Sequence, residues 1–196
     1  MRKRFTCMAL IGAAIGAAFL AHSVHVWATP AIGFKSTSLA SGTFAEFEVL
    51  NQSAVMNPGG DVDNDRDDKS QWMSLQKTKG ASDLYVQSNT WEPVNSVTGA
   101  AASTGWHTHH GHSLIIVTAG TIAEYDSDCV RHTYTFVPGQ PSPTLVDPGH
   151  GHVHVIRNEG TVPASTIAVQ LVPYDPNKAN RRVDVPTAPP SCAGMQ

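Results

Sequence analysis

From residue 29 onward the chain breaks into short runs in which apolar and polar positions alternate, and helical spacing is scarce. TFAEFEVL (43–50) alternates in steps of two, and QWMSLQKT (71–78) and SDLYVQSNTW (82–91) read as strands. A period of two sends successive side chains to opposite faces of an extended chain. SLIIVTAGTIAEY (113–125) reads as two strands turning near Ala119 and Gly120. RHTYTFV (131–137), TLVD (144–147), HVHVIRN (152–158) and STIAVQLV (165–172) complete the series, with Gly, Pro, Asn and Asp between them. Many short strands separated by turn signals predict one all-β domain, a sandwich or barrel. Parity places Ser113, Ile115 and Val117 on one face, with Leu114 and Ile116 on the other. The same parity makes Tyr85, Trp91, Tyr134 and Gln170 candidates for a pocket wall, each equally readable as an ordinary packed or surface residue. No internal repeat or low-complexity domain is evident.

The first residues change the picture. MRKR is cationic, TCMALIGAAIGAAFL is apolar over about fifteen residues, and VWA (26–28) ends in a small residue. That is the layout of a secretory signal peptide cleaved after Ala28, and the run is short for a bilayer span of roughly twenty residues. The expected product, residues 29–196, is secreted or periplasmic and long enough for a single stable core. We divide it into an N-terminal segment with an acidic loop (29–70), the β-domain (71–175) and a Pro-rich tail (176–196). Loss of Arg2, Lys3 and Arg4 takes the formal charge from -3 to -6. No basic patch is left to follow a phosphate backbone, so nucleic acid is not an expected partner, and no later segment is apolar enough to span a membrane.

Cys7 leaves with the leader, so Cys129 and Cys192 remain. Two cysteines in an exported chain pair, because the compartment is oxidising. The bridge would tie the tail APPSCAGMQ (188–196) to the body. Asp126 and Asp128 beside Cys129 work against the alternative, a reactive low-pKa thiol. The acidic run DVDNDRDD (61–68) has the alternating aspartates of a calcium loop. An EF-hand needs Gly at the sixth place and Glu at the twelfth; Arg66 and Trp72 stand there, which favours a solvated loop.

The histidines carry the chemistry. GWHTHHGH (105–112) and PGHGHVHVIRN (148–158) hold seven of the ten histidines. On a strand, His107 and His109 share a face, and so do His152 and His154. Neutral imidazole is the commonest protein ligand for transition metals. A pair from one strand and a third from its neighbour would make a facial set of three nitrogens with open positions for water, substrate or dioxygen. Binding should weaken as pH falls through about 6.5, the unperturbed histidine pKa.

The two clusters resemble the paired motifs of the cupin superfamily, small β-barrels of the jelly-roll kind. The first motif is similar to His107-Thr108-His109, with Ser113 where the family has Glu and Gly120 closing the turn. In the second, Gly151, His154 and Asn158 fit the family spacing, while Gly149 replaces the usual proline and Pro148 comes one place early. The resemblance covers roughly residues 85–172. It implies a cupin-type jelly-roll β-barrel with His107, His109 and His154 as metal ligands. Ser113 and His152 follow as adjacent or alternative ligands. His110, His112 and His150 have no place in the motifs, and His132 reads as an ordinary strand residue.

Without the Glu, the motifs supply three histidines and no carboxylate. Three-histidine cupins exist, thiol dioxygenases with ferrous iron among them, so the loss does not silence the site. The expected cofactor is one divalent transition metal, with Fe, Mn, Zn, Ni and Cu all compatible. The expected partner is a small-molecule ligand or substrate, with a homodimer as the candidate assembly. Two classes of function remain open: a metal-dependent oxygenase, or a cupin that binds a small ligand or metal without turnover. No Gly-x-Ser-x-Gly element supports nucleophilic hydrolysis.

Overall fold

The computed structural model describes residues 29–54, 71–178 and 181–195. The expected signal peptide (1–28) and the aspartate run (61–68) lie outside the described residues. Among the described residues thirteen strands follow one another: β1 (Phe34–Phe44), β2 (Glu48–Ala54), β3 (Gln71–Lys77), β4 (Ser82–Trp91), β5 (Ala102–Ser103), β6 (His107–Thr108) and β7 (Ser113–Ala119) form the first half. β8 (Thr121–Asp126), β9 (Arg131–Thr135), β10 (Thr144–Asp147), β11 (His154–Asn158), β12 (Ala164–Pro173) and β13 (Val183–Asp184) form the second.

One sheet has the order β1-β4-β12-β7-β10, the other β13-β6-β11-β8-β9 with β5 also on β11, and β2 pairs with β3 alone. All pairings are antiparallel. From β6 to β12 the chain crosses between the two large sheets at every connection except the β8–β9 hairpin. That order is a double-sheet jelly roll, the fold implied by the histidine motifs. It is built as two facing sheets.

The alternation of the sequence becomes the two faces of each sheet. On β7, Ser113, Ile115 and Val117 are buried, whereas Leu114 and Ile116 are exposed to solvent. Trp91, Ile115, Val117, Ile122, Leu145, Ile156, Ala164 and Ala168 meet between the sheets in one core. On β11 both faces are buried, because a second cluster of Trp106, Ala123, Tyr125, Val155 and Cys192 lies against the outer side of the six-stranded sheet. The C-terminal tail supplies that cover. The Cys129–Cys192 disulfide pins it at a Cα separation of 5.3 Å, and Trp106 Nε1 donates to the Met195 carbonyl at 3.1 Å.

Two expectations on local structure need correction. TFAEFEVL is not one strand: β1 ends at Phe44 and β2 begins at Glu48, with Phe44 and Phe47 meeting edge to face. The strand expected to begin at GWHTH is only His107–Thr108. β1 itself gave no signal in the sequence, because its residues are almost all exposed along an edge and carry no buried stripe.

The bridge closes 63 residues, which in the chain-entropy account stabilises by about 4 kcal/mol. Replacing Cys192 by Ser should therefore lower the urea midpoint by an amount equivalent to ~2–4 kcal/mol. An unchanged midpoint would show that packing of the tail on Trp106 holds it unaided.

Candidate metal centre and cavity

Antiparallel pairing sets His154 of β11 directly opposite His107 of β6. Ring centroids lie 4.5 Å apart for His107 and His154, 4.8 Å for His107 and His109, and 5.6 Å for His109 and His154. One nitrogen of each ring lies within 4.8 Å of one nitrogen of the other two. An ion bound at ordinary lengths of ~2.0–2.1 Å would draw the three nitrogens closer together.

The tautomers of two rings follow from their surroundings. His107 Nδ1 is 2.8 Å from the Gly105 carbonyl, and His109 Nδ1 is 2.5 Å from the Arg181 carbonyl. A carbonyl only accepts, so each Nδ1 carries the proton and Nε2 keeps its lone pair for a ligand. The Gln170 amide nitrogen, 2.7 Å from His109 Nδ1, donates to the same Arg181 carbonyl at 2.9 Å, so the two donors share one acceptor.

Burial sets the charge state. His107 and His154 are almost wholly buried, and His109 is half-buried. Loss of hydration pushes His107 well below the ordinary imidazole range, with the neighbouring His154 and Arg182 adding to the effect. Burial likewise lowers His109, and takes His154 down to about 3. All three rings are thus neutral near pH 7. The expectation that proton competition begins at about 6.5 is corrected by this burial: it begins lower.

A residue outside the histidine motifs joins the cluster. Asp147, the last residue of β10, pairs in register with Ser113 on β7, the position where the motif lacks its Glu. Its side chain is fully buried. Oδ1 accepts from the Gly149 backbone N–H at 2.9 Å. Oδ2 has no hydrogen-bond partner and lies 3.7 Å from His109 Nε2. The motifs supply no carboxylate, but a neighbouring strand brings Asp147 to within 3.7 Å of His109 and 3.6 Å of His154. Ser113 is buried on the cavity wall beside it.

His152 takes a different place from His154. Its Nδ1 lies 3.3 Å from Asp147 Oδ1 and 3.3 Å from His154 Nδ1. Asp147, His152 and His154 form a second potential ligand group that shares His154 with the first. His110, His132 and His150 are exposed, and His112 is half-buried. Asn158, which the second motif singles out, is structural: its amide donates to the Glu92 and Val162 carbonyls at 3.0 and 2.7 Å, and accepts from Gly160 at 2.9 Å.

The three histidines form part of the wall of a cavity of about 310 Å³ between the sheets. Of the sequence candidates, Trp91 and Gln170 line it. Tyr85 is buried beside the mouth under Arg181 and Lys178, and Tyr134 bonds Glu124 at 3.3 Å instead. Gln87, Asn89 and Thr166 also line the cavity and went unnoticed in the sequence, although strand parity with Trp91 and Gln170 marks them.

No protein-family model matches the sequence, and a search among curated proteins returns no match. Solved structures give fold-level likenesses. A cupin superfamily protein from Desulfitobacterium hafniense is 12% identical over 63% of this chain and 78% of its own, with a TM-score of 0.36. A cupin domain from Bordetella pertussis is 16% identical over 45% of this chain and 80% of its own, with a TM-score of 0.35. A double-stranded β-helix protein from Klebsiella pneumoniae is 13% identical over 53% and 71%, with a TM-score of 0.39. Likenesses this distant add nothing to the fold that the strand order defines.

The lowered imidazole pKa values have a consequence for stability. Between about 3, the folded His154 value, and about 6.5, the unfolded value, the unfolded chain binds more protons. Stability of metal-free protein should therefore rise with pH across that window and fall on acidification. Urea midpoints from pH 8 to 4 should show the decline beginning below about 6.5, and His154→Ala should flatten it.

Proposed function

We propose that this chain is an exported metal-binding protein of the cupin kind, in which His107, His109 and His154 hold one divalent transition metal and Asp147 supplies the carboxylate. The observation that carries this reading is the set of three neutral imidazoles converging within 4.8 Å, backed by an unpartnered, fully buried Asp147 oxygen. An orphaned buried carboxylate oxygen is costly unless something meets it, and a cation between it and the imidazoles would. Three nitrogens and one oxygen suit Fe, Mn, Zn, Ni or Cu, and the softer thiolate ligands that select other sites are absent from the group.

The function we propose for the centre is oxygenase chemistry on a small molecule. A redox-active ion held there would supply Lewis-acid polarisation and electrons for reaction with dioxygen. The cavity's lining, among the described residues, contains no carboxylate, cysteine or tyrosine beside the three histidines. Chemistry borne by a metal needs no further side-chain base there. The chain's own contribution is to hold two of the rings, His107 and His109, in one tautomer through Gly105 and Arg181, and to keep bulk water away from all three. Export is supported by the Cys129–Cys192 disulfide, a bond that persists in oxidising compartments. No helix among the described residues is long and apolar enough to cross a membrane. A homodimer through the outer face of the five-stranded sheet, where Leu114, Ile116 and Val146 are exposed, completes the proposal.

Untagged protein should contain close to one equivalent of a transition metal by elemental analysis. His107→Ala, His109→Ala and His154→Ala should each abolish retention through desalting, while His110→Ala should leave it intact. Asp147→Asn, which keeps the shape and removes the charge, should weaken affinity by about 10–100-fold in a competition titration. Metal content unchanged in His154→Ala would end this reading, and absence of oxygen uptake across a panel of small acids and thiols would end its oxygenase part.

A further inference from the structure

The inner face of a jelly-roll sheet is ordinarily apolar, yet here a polar strip crosses the five-stranded sheet. Ser36 of β1, Gln87 and Asn89 of β4, and Thr166 and Gln170 of β12 all line the cavity. Ser36, Asn89 and Thr166 lie on a single rung of the sheet. Within the strip Ser36 donates to Gln87 at 2.8 Å, Gln87 approaches Gln170 at 3.5 Å, and Asn89 Nδ2 donates to Thr166 at 3.3 Å.

Two polar atoms on this wall are left over. Asn89 Oδ1, an acceptor, and Trp91 Nε1, a donor, are buried without a hydrogen-bond partner, on side chains exposed by only 9% and 2%. Buried polar atoms without partners are rare in native structures, and the side chains that carry these two line the same cavity from positions two apart on one strand. A hydroxyl group that reached both would donate to Asn89 and accept from Trp91.

The cavity also has a cationic rim. Arg182 is paired with Asp184 at 2.5 Å. Arg181 has no carboxylate within ion-pair distance among the described residues; its guanidinium lies 5.2 Å over the Tyr85 ring and reaches Ser36 Oγ at 3.4 Å. Lys178 lies over the same ring at 5.8 Å. A planar fork of donors with no anion of its own, joined to the polar strip through Ser36, suits a carboxylate.

We infer that the cavity takes a small hydroxylated carboxylate, its acid group at Arg181 and a hydroxyl group between Asn89 and Trp91. The inference deepens the function proposed above by naming its ligand class. It rests on that reading for turnover alone, since the binding wall lies on the sheet facing the histidines.

Isothermal titration of chelator-treated protein tests it with gluconate, its uncharged counterpart sorbitol, the hydroxyl-free hexanoate, and glucose 6-phosphate. Gluconate should bind at least about tenfold more tightly than sorbitol or hexanoate, the scale of one charge-assisted contact. Arg181→Gln should remove the preference for gluconate over sorbitol and leave sorbitol unchanged. Asn89→Leu and Trp91→Phe should weaken gluconate and sorbitol alike and spare hexanoate. Arg181 lies at the cavity rim, so its variant keeps the test decisive should either buried variant misfold. Equal affinity for hexanoate, unchanged gluconate affinity in Arg181→Gln, tighter binding of glucose 6-phosphate, or no binding of any probe would each overturn the assignment. Gluconate that binds only after metal is restored would overturn it too, since the metal would then be the anchor. Gluconate binding without metal uptake would sink the metal reading and leave this one standing.

Discussion

Two histidine clusters some forty residues apart become one site because backbones touch. A Cβ on Gly149 would collide with the Gly111 carbonyl, and one on Gly111 would collide with the Leu171 carbonyl. Gly149 moreover has φ +66°, a conformation that favours glycine. The loop after β6 is thus pressed between β12 and the loop after β10, and Leu171 N–H donates to the His112 carbonyl at 3.1 Å to hold it there. Everything in the centre depends on that approach. It brings His109 to Asp147, and the Asp147 side chain caps the Gly149 amide of the very turn that leads to His152 and His154. Larger residues at either glycine would part the loops before they altered any ligand.

A fold that gives up part of its interior to polar groups must find apolar burial elsewhere. Here the core between the sheets gathers around Trp91, Ile115, Val117, Ile122 and Leu145, while the strip from Ser36 to Gln170 stays polar. The second cluster around Trp106 and Val155, on the outer side of the six-stranded sheet, replaces what was lost. That is why a Pro-rich tail with almost no regular structure is anchored so firmly, through Cys192 and through the Met195 carbonyl. The tail also passes Arg181, whose carbonyl fixes His109 and whose guanidinium guards the cavity. Stability and site geometry therefore share one segment.

The pattern of the sequence revealed strands wherever one face is buried. SDLYVQSNTW and TLVD match β4 and β10 to the residue, because alternation and turn residues agree there. β1 escaped, since an edge strand with nothing to bury leaves no periodic trace. The histidines were legible for a different reason: spacing along the chain is local, so His107, His109 and His154 could be chosen from the chain alone, although His109 lies beyond the end of its strand. Asp147 could not. Its partnership with the histidines depends on which strand lies beside β7, a non-local fact that no spacing rule encodes. The same holds for Asn89 and Thr166, whose polarity looks like an exposed face until the register puts them on one inward rung.

The register also explains how a carboxylate comes to stand beside Ser113. Ser113 and Asp147 are cross-strand partners, and side chains opposite each other on an antiparallel pair stand about 5 Å apart. A carboxylate moved from β7 to the facing position on β10 keeps nearly the same place in space while changing its approach to the histidines by one strand width. In that position it bonds the turn as well as facing His109. The β7 position is left to a small hydroxyl side chain, and the space a glutamate would have filled remains part of the cavity wall. With serine on β7, the wall beside the histidines keeps space that a longer side chain would fill.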